Sequence, residues 1–300
     1  MKRLFLDRNG HLRNGWWIVI FLVLLVASGF VYTPVSRALQ ESGVPLSALD
    51  PLRLAFVLGV TWVCLRLRRE PLSSVGFVFD RRWLRELGIG SALGIGTAAL
   101  VVALIWMAGG VALEPNPARS LQLLVQGIAL FGFVALFEET LFRGFVFQRL
   151  VSGIGVWGAQ IILGLIFAAG HWDNPHMQGT AAIVATLELF LGAVLLGLAY
   201  LRTRSLALPV GIHLGWNWTH GYVFGFGVSG FDHPGWFRQT LQGLPEWMSG
   251  GQFGPEASIF ALAVDALVIV LLWRWKGSAP PAAVANAAGP DAPALALART

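Results

Sequence analysis

Two adjacent carboxylates and an arginine, Glu138-Glu139-x-x-x-Arg143, interrupt an apolar run that extends from Leu121 to Leu150. A carboxylate inside a hydrocarbon-length helix is costly and marks a functional site by default. At ~100° per residue Glu139 and Arg143 stand four apart on one helical face and can pair, whereas Glu138 points roughly a quarter turn away. A paired Glu139 serves structure, and Glu138 is left to face what other helices bring. Three more polar side chains lie in apolar runs: His171, and the pair His213 and Asn217, which are four apart and share a face. A carboxylate with a histidine can activate water, the carboxylate taking the proton and the histidine orienting or sharing it. A second histidine and an Asn amide can donate hydrogen bonds to a developing oxyanion. Amide hydrolysis needs this set where no Ser or Cys nucleophile is evident.

Blander readings exist for each residue. The charges could form a membrane-boundary cluster, and a lone His or Asn could bond a neighbouring helix. The same residues also allow a metal reading, in which Glu138, His171 and His213 bind zinc as two His and one carboxylate and leave a position for water. The chain has no His-Glu-x-x-His helix, and ligands on three separate helices give no metal spacing. A metal-free site is therefore expected, with no cofactor. His220 shares a face with His213 but lies beyond the expected cluster, and His176 and His233 fall in loops. Glu188 and Asp265 have no partner in sequence and receive no role.

The elements that must position these residues are membrane helices. Hydrophobic residues make up 56% of the 300-residue chain and charged residues 12%, against about 25% charge in soluble domains. Mean hydropathy is +0.67. The fold class expected is all-α, a polytopic integral membrane protein with about eight transmembrane helices. The spans read as 15–32, 51–65, 88–107, 121–150, 154–170, 181–200, 206–226 and 258–273. Thr33 to Asp50 reads as a polar loop with Pro34 and Pro45. Gly90, Gly94 and Gly96 in the third span allow close helix approach. Basic residues cluster at 66–69, 81–85, 149, 202–204 and 274–276, which places those loops and both termini in the cytoplasm. The net charge of +5 sits in these short loops and points to membrane orientation, not to nucleic acid. The single Cys64 excludes an internal disulfide and a cysteine metal site. Residues 1–14 read as a cytoplasmic segment, 15–276 as one membrane domain, 227–255 as an outside loop rich in Gly, Pro and Trp, and 277–300 as a disordered Ala- and Pro-rich tail.

Depth can be counted from the cytoplasmic ends. Eleven residues separate Glu138 from Arg149, sixteen separate His171 from Gly155, and nine separate His213 from Arg204. At ~1.5 Å per residue these are roughly 16, 24 and 14 Å, so the groups lie within about 10 Å in depth. His171 is the outlier, and a kink or a deeper start to the fifth helix would reconcile it.

Glu138-Glu139-x-x-x-Arg143, then Phe167-x-x-x-His171, then His213-x-x-x-Asn217 together resemble the three motifs of the CAAX-protease and bacteriocin-processing (CPBP, or Abi) intramembrane proteases. The stretch Tyr200-Leu201-Arg202-Thr203-Arg204-Ser205-Leu206-Ala207-Leu208-Pro209 before His213 also resembles that family. The resemblance covers roughly Leu121 to Phe224. It implies an all-helical membrane core whose site opens toward cytosol and membrane, and endopeptidase activity. In eukaryotic members the substrates are prenylated CaaX proteins. It further implies Glu138 as general base acting with His171, and His213 and Asn217 as oxyanion stabilisers. The family also carries a metalloprotease label. Expected partners are membrane lipid and a peptide or protein substrate, lipidated in some members. Two other readings compete: a non-enzymatic bacteriocin-immunity factor or scaffold of the same fold, and a transporter using the polar cluster as an ion site. Against the transporter, the chain has no internal repeat of the kind many transporters show. In a bacterial source the protein would reside in the plasma (inner) membrane.

Overall fold

A computed structural model describes residues 2–6 and 10–278. The major helices are α1 (Asn14–Glu41), α2 (Asp50–Arg68), α3 (Arg81–Met107), α4 (Leu121–Arg143), α5 (Phe145–Ala169), α6 (Gly179–Thr203), α7 (Ala207–Trp218) and α8 (Ile259–Arg274). Among the described residues four stretches are long and apolar enough to cross a membrane: 14–41, 81–107, the near-continuous 121–169, and 179–203. The protein is an integral membrane protein of mostly helical class. Its outer surface carries large exposed apolar side chains such as Phe30, Leu121, Val125 and Ile183, as a lipid-facing surface does.

Local sequence sets the helix ends. Asp80 caps α3 by accepting from the Trp83 N–H at 2.8 Å, Ser120 caps α4 by accepting from the Leu123 N–H at 3.2 Å, and Ser258 caps α8 by accepting from the Ala261 N–H at 3.2 Å. Arg69 and Arg204 end α2 and α6 in the left-handed conformation.

Several boundaries depart from the sequence reading. Helix α1 continues through Pro34 to Glu41, where a polar loop is expected. A proline is tolerated inside a membrane helix because neighbouring groups re-satisfy the freed backbone. Helix α3 starts at Arg81, well before the expected Gly88. Arg82 donates from Nε to Glu86 Oε1 at 2.8 Å and from Nη2 to the Thr203 carbonyl at 2.6 Å, and this holds the basic segment helical. The expected span 121–150 is broken at Gly144, whose ψ of −127° separates α4 from α5. A Cβ there would lie 2.2 Å from the Thr140 carbonyl oxygen, so this corner needs glycine. Helix α5 breaks again at Gly155, with φ 83°. The sixteen residues from Gly155 to His171 lie beyond that break.

The loops are not purely irregular. Strand β1 (Val111–Pro115) pairs antiparallel with β2 (Phe237–Leu241), in register from Val111 opposite Leu241 to Pro115 opposite Phe237. Glu114 stands opposite Arg238, an opposite-charge cross-strand pair that the sequence reading lacks. The tail expected to be disordered lies, from residue 279 on, outside the described residues.

A seam of glycines positions α7 against α3. A Cβ on Gly90 would lie 2.4 Å from the Leu208 carbonyl oxygen, and one on Gly94 would lie 2.1 Å from that of Ile212. From the other side, a Cβ on Gly211 would lie 2.3 Å from Leu87 O and one on Gly215 would lie 2.3 Å from Ser91 O. The two backbones therefore touch, as small residues permit in membrane helices. Gly96, expected to share this role, meets nothing within 4 Å. The seam brackets His213 between Gly211 and Gly215 and so fixes its depth and direction.

Candidate active site

The helical spacing of α4 brings Glu139 and Arg143 together as expected. Arg143 Nη1 donates to Glu139 Oε1 at 2.9 Å, and Nη2 donates to the Ala193 carbonyl of α6 at 2.8 Å. Glu139 is fully buried and Arg143 nearly so. Burying this pair is tolerable because the arginine is satisfied on two sides and the charges are matched.

His213 of α7 then stands between the two glutamates. Its Nδ1 donates to Glu139 Oε1 at 3.0 Å, and its Nε2 lies 3.7 Å from Glu138 Oε2. A ring with two nitrogens can thus address two carboxylates that point about 100° apart on one helix. Glu138 keeps 20% of its side-chain surface, while Glu139 keeps none. Glu138 is therefore the carboxylate that water and a ligand can reach. Glu139 Oε1 accepts from both Arg143 and His213, and its Oε2 has no hydrogen-bond partner among the described residues.

His171 is placed by a different device. It follows the C-cap of α5, Gly170, and its N–H returns to the Ala168 carbonyl at 3.1 Å. Its Nδ1 lies 2.8 Å from the Phe167 carbonyl oxygen. A carbonyl only accepts, so Nδ1 carries the proton, and in the neutral ring Nε2 is the free lone pair. The Phe167 ring sits 4.7 Å from the His171 ring and 5.6 Å from the Arg143 guanidinium. One aromatic side chain therefore links His171 to the Glu139–Arg143 pair. Asn217 is buried one turn beyond His213, and its amide makes no hydrogen bond among the described residues.

Among the described residues no three His, Cys, Asp or Glu side chains are grouped closely enough to hold a metal ion. His220 is fully buried, its ring edge-on to Trp216 at 4.4 Å. His233 packs in the loop against Phe131 at 5.0 Å and Tyr222 at 5.5 Å, and burial lowers its pKa from 6.5 to about 4. Asp232 beside it acts in the opposite sense. Glu188 and Asp265 are both buried and lie within electrostatic reach of each other and of Glu256.

Glu256 escapes the sequence reading altogether. It lies in the turn Pro255–Ala257 that leads into α8 and is 4% exposed. The only sequence signal is a lone carboxylate between Gly254-Pro255 and the helix cap Ser258. Burial raises its carboxyl above the ordinary range, while the Ser229 N–H and the charge of His171 act in the opposite sense.

Residues 120–219 match the family model described as Type II CAAX prenyl endopeptidase Rce1-like. This interval contains all three motifs and bears out the resemblance to the CPBP intramembrane proteases. The chain is also 27% identical over 167 residues to an uncharacterized 24.3 kDa protein of Escherichia coli, a stretch covering 50% of this chain and 74% of that relative.

Proposed function

We propose that this protein is a CAAX-type intramembrane endopeptidase, which hydrolyses a peptide bond in a membrane-associated or lipidated peptide or protein. The observation that carries the reading is His213 standing between an accessible Glu138 and a buried, arginine-paired Glu139. The family match over residues 120–219 supports it. In this reading Glu138 is the general base. It takes the proton of a water whose oxygen attacks the scissile carbonyl, and it later returns that proton to the leaving amine. His171 orients the water through Nε2, since its Nδ1–H is committed to Phe167. With Nδ1–H committed to Glu139, His213 donates from Nε2 as the imidazolium, held between the two glutamates, and this Nε2–H and the amide of Asn217 donate to the oxyanion. Glu139 and Arg143 hold the His213 ring in place. The proposed chemistry uses side chains alone and no metal.

The same proposal includes eight spans, the seventh formed by α7 together with the helical turn Thr219–Val223 that continues it, with both termini cytoplasmic as the basic clusters require. The membrane is the plasma (inner) membrane if the source is bacterial. Partners are lipid and peptide, not nucleic acid. The test is cleavage of a panel of membrane-anchored and lipidated peptides by the purified, detergent-solubilised protein, with Glu138→Gln and His171→Ala alongside. Loss of a general base costs about 10²–10⁴-fold. Equal cleavage by wild type and Glu138→Gln overturns the assignment.

A further inference from the structure

Glu256 is buried at the entrance to α8, and no motif includes it. Its Oε2 accepts from the Ser229 N–H at 2.6 Å and from Ser229 Oγ at 3.1 Å. Ser229 holds a left-handed backbone, φ 49°, that a residue other than glycine seldom adopts without a partner. The Ser229 carbonyl in turn accepts from Asn174 Nδ2 at 2.9 Å, and the Asn174 N–H returns to the His171 carbonyl at 3.1 Å. A continuous chain of hydrogen bonds therefore runs from the Glu256 carboxylate to the turn that bears His171. The next residue tightens it: the Gly230 N–H donates to Phe253 O at 2.9 Å, and a Cβ on Gly230 would lie 2.0 Å from Pro175 O.

The surroundings of Glu256 make its placement pointed. Within its electrostatic reach lie Glu188 of α6, Asp265 of α8, His171 at the end of α5 and the Trp216 indole of α7. The two acids repel a carboxylate, whereas His171 and the Trp216 indole favour it. Burying a third acid in such company is costly and calls for a compensating role.

We propose that Glu256 is the positioning residue of His171: through Ser229 and Asn174 it fixes the turn that carries the imidazole. This rests on the protease reading of His171. Carboxylates that orient a catalytic or ligating imidazole act in this way elsewhere, and losing such a partner costs about 10–100-fold in activity.

The experiment compares Glu256→Gln, Glu256→Asp and Ser229→Ala with wild type and Glu138→Gln, all as full-length protein in detergent. Glu256→Gln keeps an oxygen for the Ser229 N–H and removes the charge. With cleavage of a membrane-anchored peptide as readout, kcat falls about 10–100-fold in Glu256→Gln while KM stays within about twofold. Glu256→Asp recovers part of that loss, and thermal midpoints stay unchanged. A second readout needs no substrate: in protein labelled with ¹⁵N-histidine, the ring signals of His171, assigned with His171→Gln, move in Glu256→Gln while those of His11, near the start of the chain, do not. Where Glu256→Gln fails to fold, Ser229→Ala, which loses only the Oγ bond, moves the His171 signals in the same sense by less. Unmoved His171 signals in the tested variant overturn the proposal, as does an unchanged kcat in Glu256→Gln beside an inactive Glu138→Gln. Full activity in Glu138→Gln instead overturns the protease reading, and the His171 signals still decide whether Glu256 positions the ring.

Discussion

The Glu139–Arg143 pair gives the sharpest quantitative prediction. Replacing Arg143 with Met removes a guanidinium that donates to Glu139 Oε1 at 2.9 Å and to Ala193 O at 2.8 Å, with a side chain only 4% exposed. Glu139 would remain at zero exposure with His213 as its sole partner, and its Oε2 already lacks one. Breaking one half of a buried pair costs about 3–5 kcal/mol, chiefly because a charge stays buried and uncompensated. Replacing both residues, as Glu139→Gln with Arg143→Met, removes that charge and keeps an acceptor for His213. The double variant should therefore lie within about 1–2 kcal/mol of wild type, since deleting both partners of such a pair is close to neutral. Unfolding in mixed micelles, followed by tryptophan fluorescence, gives the four free energies of the cycle. The reasoning predicts that the double variant is more stable than Arg143→Met alone. It is refuted if the two single losses simply add, because Arg143 would then act through packing on Phe167 and not through Glu139.

Other outcomes follow from particular contacts. Gly94→Ala places a methyl 2.1 Å from Ile212 O and should destabilise by at least the ~1–3 kcal/mol of overpacking, with cleavage lost as His213 moves. Gly96→Ala meets open space and should be neutral or slightly stabilising, so equal thermal midpoints for the two variants would contradict the seam. His233 is an acid sensor of stability: the unfolded imidazole binds a proton below its ordinary 6.5, the folded one only near 4. Its contribution is present above pH 6.5 and is lost as pH falls toward 4, so His233→Phe should flatten the thermal midpoint across that window.

The parts of the site that could be read from sequence are those fixed by helical period. Four-residue spacing put Glu139 with Arg143 and His213 with Asn217, and both pairs lie on single helices in the structure. Glycine spacing in α3 identified the close approach at Gly90 and Gly94 but wrongly included Gly96, which is on the wrong face of the same helix. The errors share a cause. Beyond its local Asp80 cap and Arg82–Glu86 pair, the extension of α3 is held by Arg82 donating to Thr203, 121 residues away, and the pairing of β1 with β2 joins segments more than 120 residues apart. Glu256 was invisible because its partners, Ser229 and His171, come from two other loops. Period reports the partners of a helix face, and it is silent on bonds that chain topology alone brings about.

The two adjacent glutamates illustrate how much a one-residue step decides. Glu138 and Glu139 have the same side chain, yet one turns to accessible space and the other to a fully buried arginine. Only an imidazole delivered by another helix at the right depth can contact both, and the glycine seam of α3 and α7 delivers it. The backbone approach sets this geometry, with side-chain packing following from it. It follows that the seam governs the site more than any nearby apolar side chain does. A methyl added at Gly211 or Gly215 would displace His213 from both carboxylates at once.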